Sequence, residues 1–258
     1  MFLSGEAARG CAPSTVNRRL AAIGWAYHRA GLQPPQKIEG AARIAEVLAG
    51  IRRSHTTAPD KKAAADADVT WAPLHCIKGE RLRDHCDRAL IALGMAAALR
   101  RSELVALRVK DLQRVAEGLR VRVARSKTDQ DGAGEVIAVP NGKRLRPVAL
   151  VEAWLRTAHI ADGFVFRRFV SRADHLSELP MDDAGVALVV KRRAAAAGLD
   201  AAEFSGHSLR SGSLTAAARA GASIWKMQEV SRHKSVQVRS GYVRSAELFD
   251  DHAGNGFL

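Results

Sequence analysis

Residues 84–112, DHCDRALIALGMAAALRRSELVALRVKDL, decide the fold. From Ala89 to Leu99 the stretch is apolar on nearly every side, and a helix without a polar face lies inside a protein rather than on it. Charge returns abruptly at Arg100 and Arg101, and Ser102 is placed to cap a second, shorter helix. A buried helix at the centre of the larger part of the chain, followed by a polar corner, is therefore expected.

Downstream, LRVRVAR (119–125) alternates with period two, TDQDGAG (128–134) is rich in turn formers, and EVIAVP (135–140) has strand composition. Together they predict a β-hairpin. Helices are predicted over 147–158, over 182–197 with Asp182 or Asp183 as cap and Gly198 as stop, over 208–220 with Ser208 as cap and Gly221 as stop, and over 223–231. Upstream, STVNRRLAAIGWAYHRA (14–30) begins with a Ser cap and aligns Val16, Leu20, Ile23, Tyr27 and Ala30 on one stripe. A second helix over 38–53 turns Ile44, Val47, Leu48 and Ile51 inward, and SHTTAPDKKAAADAD (54–68) has the composition of a linker. The fold class expected is mainly α with a small antiparallel β-sheet (α+β). Residues 1–58 form a first helical unit that two helices alone would scarcely stabilise, and 59–258 form a larger second unit.

The 258 residues suffice for a sizeable core, and charges break every apolar run before the ~18–20 residues of a membrane span. MFLSGEAARG lacks the pattern of a signal peptide, so a cytoplasmic protein is expected. Forty Lys and Arg against 27 Asp and Glu give a net charge of +13, which favours a polyanionic partner that releases counterions on binding. The excess is spread along the chain: residues 1–60 carry 8 basic and 4 acidic side chains. By charge, nucleic acid is the leading partner and an anionic membrane surface the second; nucleic acid is the partner expected, and no membrane. Three cysteines, Cys11, Cys76 and Cys86, argue against a disulfide framework.

In FSGHSLRSGSLTAAARAGA (204–222), His207 precedes the predicted cap and Arg210 falls in the first helical turn. Free backbone N–H groups and the helix dipole favour an anion there. Arg100 ends the buried helix with Glu103 three residues on, close enough to hold a guanidinium. Lys127 lies at the predicted hairpin turn, where a flexible ammonium reaches a neighbouring site. His233 and Tyr242 complete the set. A phenol with pKa ~10 attacks phosphorus near neutral pH only where cations stabilise the phenolate or a neighbour takes its proton.

In that order, Arg100, Glu103, Lys127, His207-x-x-Arg210, His233 and Tyr242 resemble the catalytic set of the tyrosine site-specific recombinases, the phage-integrase family, down to the final spacings of 26 and 9 residues. The resemblance covers roughly residues 60–250, and residues 14–53 resemble the last part of the family's helical core-binding domain. It implies a partial DNA-clamp domain over 1–58 and a catalytic domain over 59–258. The implied chemistry needs no cofactor and no metal. Tyr242 attacks a scissile phosphate to give a 3′-phosphotyrosine and a free 5′-hydroxyl, while Arg100 and Arg210 hold the non-bridging oxygens. Lys127 protonates the leaving oxygen, His207 assists proton transfer, His233 hydrogen-bonds the phosphate, and Glu103 supports the arginines. The implied partners are double-stranded DNA and three further copies of the chain in a homo-tetramer passing through a Holliday junction, with accessory DNA-bending proteins as candidates beside them. The sequence departs from the family pattern in SRH at 231–233, where LGH is common, in the short stretch 69–83, and in the shortened amino-terminal domain.

Two rival readings follow from the same residues. One is a truncated, catalytically weak or inactive DNA-binding remnant. The other is a zinc module built on His75, Cys76, His85 and Cys86, although that spacing matches no common zinc pattern.

Overall fold

The computed structural model describes residues 2–54, 72–123, 134–170 and 175–232. The chain divides into two compact units, Met1–Lys61 and Lys62–Leu258. Among the described residues no helix is long and apolar enough to cross a membrane.

The first unit contains α1 (Phe2–Ala8), α2 (Pro13–Arg29) and α3 (Ala42–Ser54), each packed on the other two. Sequence periodicity missed α1, which is too short to show a clear repeat. Helix α2 starts at Pro13, whose fixed φ suits a first helical position, and Ser14 is not its cap. Val16 and Leu20 are buried as expected, but Tyr27, near the C-terminal end of α2, is exposed. Helix α3 begins four residues later than predicted, after Gly40 has adopted φ 81°. Its Ile51 is buried and Val47 is exposed. In α1, the buried carboxylate of Glu6 accepts a hydrogen bond from Arg9 at 2.9 Å and pairs with Arg19 of α2.

The second unit is organised around α4 (Leu82–Ala96), in which Ala89–Met95 are all buried. Helix α5 (Arg101–Ala106) follows, then the three-stranded antiparallel sheet β1 (Leu112–Val115), β2 (Gly118–Val123) and β3 (Glu135–Pro140), in that spatial order. In β2, Leu119, Val121 and Val123 face the core while Arg120 and Arg122 face out, which is the period-two pattern of the sequence. The turn proposed for 128–134 lies largely outside the described residues. Helix α6 (Pro147–Thr157) packs along α4, and its fully buried Trp154 donates from Nε1 to the carbonyl of Val165 at 2.8 Å. A second small sheet, β4 (Arg167–Phe169) with β5 (Leu176–Pro180), was not expected from the sequence. Its strands are only three and five residues long, too short for alternation to register.

Helix α7 (Asp183–Ala196) is capped by the Asp182 carboxylate, which accepts from the Ala184 amide at 2.8 Å, and ends before Gly198 at φ 78°. The arginines of KRRAAAAG tie α7 to α4. Asp87 accepts from Arg192 Nη2 and Arg193 Nε, each at 2.6 Å, and Arg193 Nη2 reaches Asp84 at 2.5 Å. Helices α8 (Ser208–Arg219) and α9 (Ile224–Ser231) complete the unit, with α8 against α4 and α9 against α8. The observed class is thus mainly α with small antiparallel sheets.

Strands β1 and β2 are joined by a two-residue turn, and Gly118, first in β2, pairs with Pro140 of β3. A Cβ at Gly118 would lie 2.0 Å from the Val139 carbonyl oxygen, so one strand would have to move. Gly118→Ala should destabilise the protein by about 1–3 kcal/mol through overpacking. At roughly 2–4 °C per kcal/mol for a domain of this size, calorimetry would read a clear fall in Tm; an unchanged Tm would show that the sheet absorbs the methyl group.

Candidate functional site

The site is built on the corner between α4 and α5. Helix α4 stops at Ala96, and Ala98 turns the chain through a left-handed φ of 45°, unusual for a residue with a Cβ. Arg100 then runs extended as the N-cap of α5. The expected cap, Ser102, lies inside the helix instead. The Arg100 amide donates to Glu103 Oε2 at 2.8 Å, so the third helical residue satisfies the helix start with a carboxylate rather than a hydroxyl. The other carboxylate oxygen, Oε1, accepts from Arg100 Nη1 at 2.5 Å. The i, i+3 spacing of Arg100 and Glu103 thus becomes two bonds to one buried carboxylate.

Helix α8 brings Arg210 to the same corner. His207 is its N-cap, and Ser208, the expected cap, is its first residue, with Oγ accepting from the Ser205 amide at 2.9 Å. Arg210 is 1% exposed. Its Nη1 donates to the Ala98 carbonyl at 2.6 Å and its Nη2 to the Ser231 carbonyl. One guanidinium therefore joins the end of α4 to the end of α9.

Arg232, at the C-terminal cap of α9, supplies a cation the sequence reading did not single out. Its Nη2 donates to Glu103 Oε2 at 2.6 Å, and its Nε lies 3.8 Å from Glu135 Oε2 on β3. The only local signal was its place beside His233 in SRH. Burial opposes ionisation of Glu103, but the Arg100 amide, the Arg232 charge and the hydrogen bonds from both guanidinium groups hold its carboxyl below the ordinary value. For His207, desolvation at this crowded corner and the charges of Arg210 and Arg100 lower the imidazole pKa.

Arg100, Glu103, His207 and Arg210 therefore come together, while Lys127, His233 and Tyr242 lie outside the described residues. The corner presents several fixed cations around one carboxylate, an arrangement suited to an anion with oxygens to spare. Of the zinc candidates, Cys86 is buried, Cys76 is exposed, and His85 Nε2 lies 2.9 Å from Glu80. Among the described residues no group of three or more His, Cys, Asp or Glu is arranged to hold a metal ion.

Known proteins resemble the chain over most of its length. The xerD homolog described as an integrase/recombinase in Selenomonas ruminantium is 34% identical over 244 residues, covering 94% of this chain and 71% of that protein. The Cre recombinase of Escherichia phage P1 is 26% identical over 259 residues, covering 93% and 73%. The site-specific recombinase XerH, solved in a post-cleavage complex with its palindromic difH substrate, superposes with a TM-score of 0.58 at 15% identity. That likeness shows a shared fold; it covers 73% of this chain, which spans about half of XerH (51%). The pattern of the phage integrase family matches residues 76–248. The chain belongs to the phage integrase family.

Proposed function

We propose that this protein cuts and rejoins double-stranded DNA at specific sites by transesterification through a 3′-phosphotyrosine, with residues 1–58 as a helical DNA clamp and 59–258 as the catalytic domain. The observation that carries the proposal is the convergence of Arg100, Arg210 and His207 from separate parts of the chain around buried Glu103. The xerD homolog and Cre are named as recombinases, and XerH was solved on DNA, which supports the same partner here. Net charge +13 suits the phosphate backbone.

In this reading the scissile phosphate sits against Arg100 and Arg210, which stabilise the charge that gathers on its non-bridging oxygens in the transition state. The Tyr242 oxygen attacks phosphorus, the bond to the 5′-oxygen breaks, and that oxygen leaves with a proton from Lys127. Desolvation, with the charges of Arg210 and Arg100, favours the neutral form of His207 near neutral pH, so a ring nitrogen accepts the phenolic proton. His233 donates to the phosphate. Resealing reverses the steps with a 5′-hydroxyl from another strand, and pairing two duplexes calls for four copies of the chain, with DNA-bending proteins as candidate accessories.

A nicked duplex from DNA flanking the gene, whose short 5′-hydroxyl strand diffuses away after cleavage, should trap a covalent protein–DNA adduct on a denaturing gel. Tyr242→Phe should abolish the adduct. If neither protein forms it while both bind the DNA, the chain is a DNA-binding remnant.

The support that Glu103 gives to the arginines has its own signature. Glu103→Gln leaves two guanidinium groups facing a neutral amide, which should cost about 3 kcal/mol. The parent's Glu103 has a folded pKa below its unfolded value of 4.5, so its contribution is complete above that pH and is lost as pH falls through the folded value. Urea melts should show a large gap between parent and variant at pH 7 and a shrinking gap below pH 4.5.

A further inference from the structure

Arg232 occupies a position its residue type does not favour. At φ 54° and ψ 35° it closes α9 in the left-handed region, its amide donating to the Gln228 carbonyl at 2.7 Å. Glycine takes that conformation freely, whereas an arginine is strained by its Cβ. The side chain does not escape to water either. It is 4% exposed and ends on Glu103, itself 3% exposed. Its buried Nε and Nη1 make no hydrogen bond among the described residues. A left-handed, desolvated arginine is a costly choice for a helix cap, and the pairing with Glu103 is what it supplies that glycine cannot.

The Glu103 carboxylate divides its two oxygens. Oε1 takes the Arg100 guanidinium, and Oε2 takes the Arg100 amide and Arg232. With Oε2 accepting from two donors and Oε1 from a third, the carboxylate plane is fixed and the direction in which Oε1 pulls on Arg100 is fixed with it. Without Arg232, Oε2 would keep one backbone donor and the carboxylate could rotate about it.

We propose that Arg232 is a positioning residue for strand cleavage: by anchoring Glu103 Oε2 it orients the Arg100 guanidinium toward the scissile phosphate. This inference rests on the recombinase reading above, since it assigns Arg100 to that phosphate. The groups that face Glu103 are Arg100 at the start of α5 and Arg232 at the end of α9, with Glu135 of β3 behind Arg232 and with Arg210 and His207 of α8 beside Arg100.

Arg232→Gly is the informative variant because it removes the guanidinium and suits the backbone, and Arg232→Lys restores the charge. On the nicked duplex, Arg232→Gly should form the covalent adduct at least tenfold more slowly than the parent while binding the duplex within about twofold, and Arg232→Lys should recover most of the rate. Carbon-detected NMR on protein carrying labelled glutamate, with Glu103→Gln to assign the signal, should show the Glu103 carboxyl titrating at higher pH in Arg232→Gly and returning toward the parent in Arg232→Lys. Adduct formation by Arg232→Gly at the parental rate overturns the proposal, as does an unmoved Glu103 titration. If the parent itself forms no adduct, the recombinase reading fails, and the titration then decides whether Arg232 anchors the carboxylate.

Discussion

The second unit depends on one buried carboxylate. The Glu103 side chain is 3% exposed, and the protein around it holds no water-like medium to solvate a negative charge, so the folded state must bring donors to it. Three arrive: the Arg100 amide, the Arg100 guanidinium and the Arg232 guanidinium. Two belong to the helix that carries Glu103, and the third comes from 129 residues away in sequence. Satisfying a single side chain thus fixes the start of α5, the rotamer of Arg100 and the position of the end of α9. Each of these elements carries or adjoins a residue of the candidate site.

Arg210 imposes a matching constraint on the backbone. Its two Nη groups take the carbonyls of Ala98 and Ser231, and the chain at both places is left-handed, at Ala98 itself and at Arg232 directly after Ser231. A carbonyl at such a turn has left its helical ladder and needs a donor from elsewhere. The buried guanidinium supplies it twice, so two strained turns 112 and 21 residues from Arg210 are stabilised by the same group. Strain of this kind persists where surrounding contacts over-determine it, and here those contacts are the candidate site.

What could be read from the sequence divides along the same line. Helix α4 was legible because Ala89–Leu99 offers no polar face, β2 because Leu119, Val121 and Val123 alternate with arginines, and α7 because Asp182 and Gly198 mark its ends. Each is a local pattern. Arg100 with Glu103, and His207 with Arg210, were likewise found through short spacings. The caps lie elsewhere than Ser102 and Ser208 because the Glu103 carboxylate satisfies the start of α5 from inside the helix, and Ser208 turns its hydroxyl back to the Ser205 amide as the first residue of α8. The ties from Arg192 and Arg193 to Asp87 were hidden because KRRAAAAG, taken alone, looks like any solvated helix face. Arg232 was hidden for the same reason, since nothing within SRH says that its partner is Glu103. The places of Lys127, His233 and Tyr242 rest on sequence order.

Among the described residues one device appears three times. Glu6, Asp87 and Glu103 are buried carboxylates, and each pairs with two arginines. Around Glu6 the arginine side chains are 76% and 46% exposed, so water takes up the surplus positive charge, whereas around Asp87 the second carboxylate of Asp84 balances the two arginines. Around Glu103 the values are 23% and 4%, and Arg210, almost wholly buried, stands beside them. The same pairing is a tether in the first two places because its excess charge is hydrated at Glu6 and neutralised by Asp84 at Asp87. At Glu103 the excess is held away from water, where the attraction for an anion is strongest. A phosphodiester would bring to that corner the negative charge that the fold leaves out, and burial, more than the number of arginines, distinguishes this carboxylate from the other two.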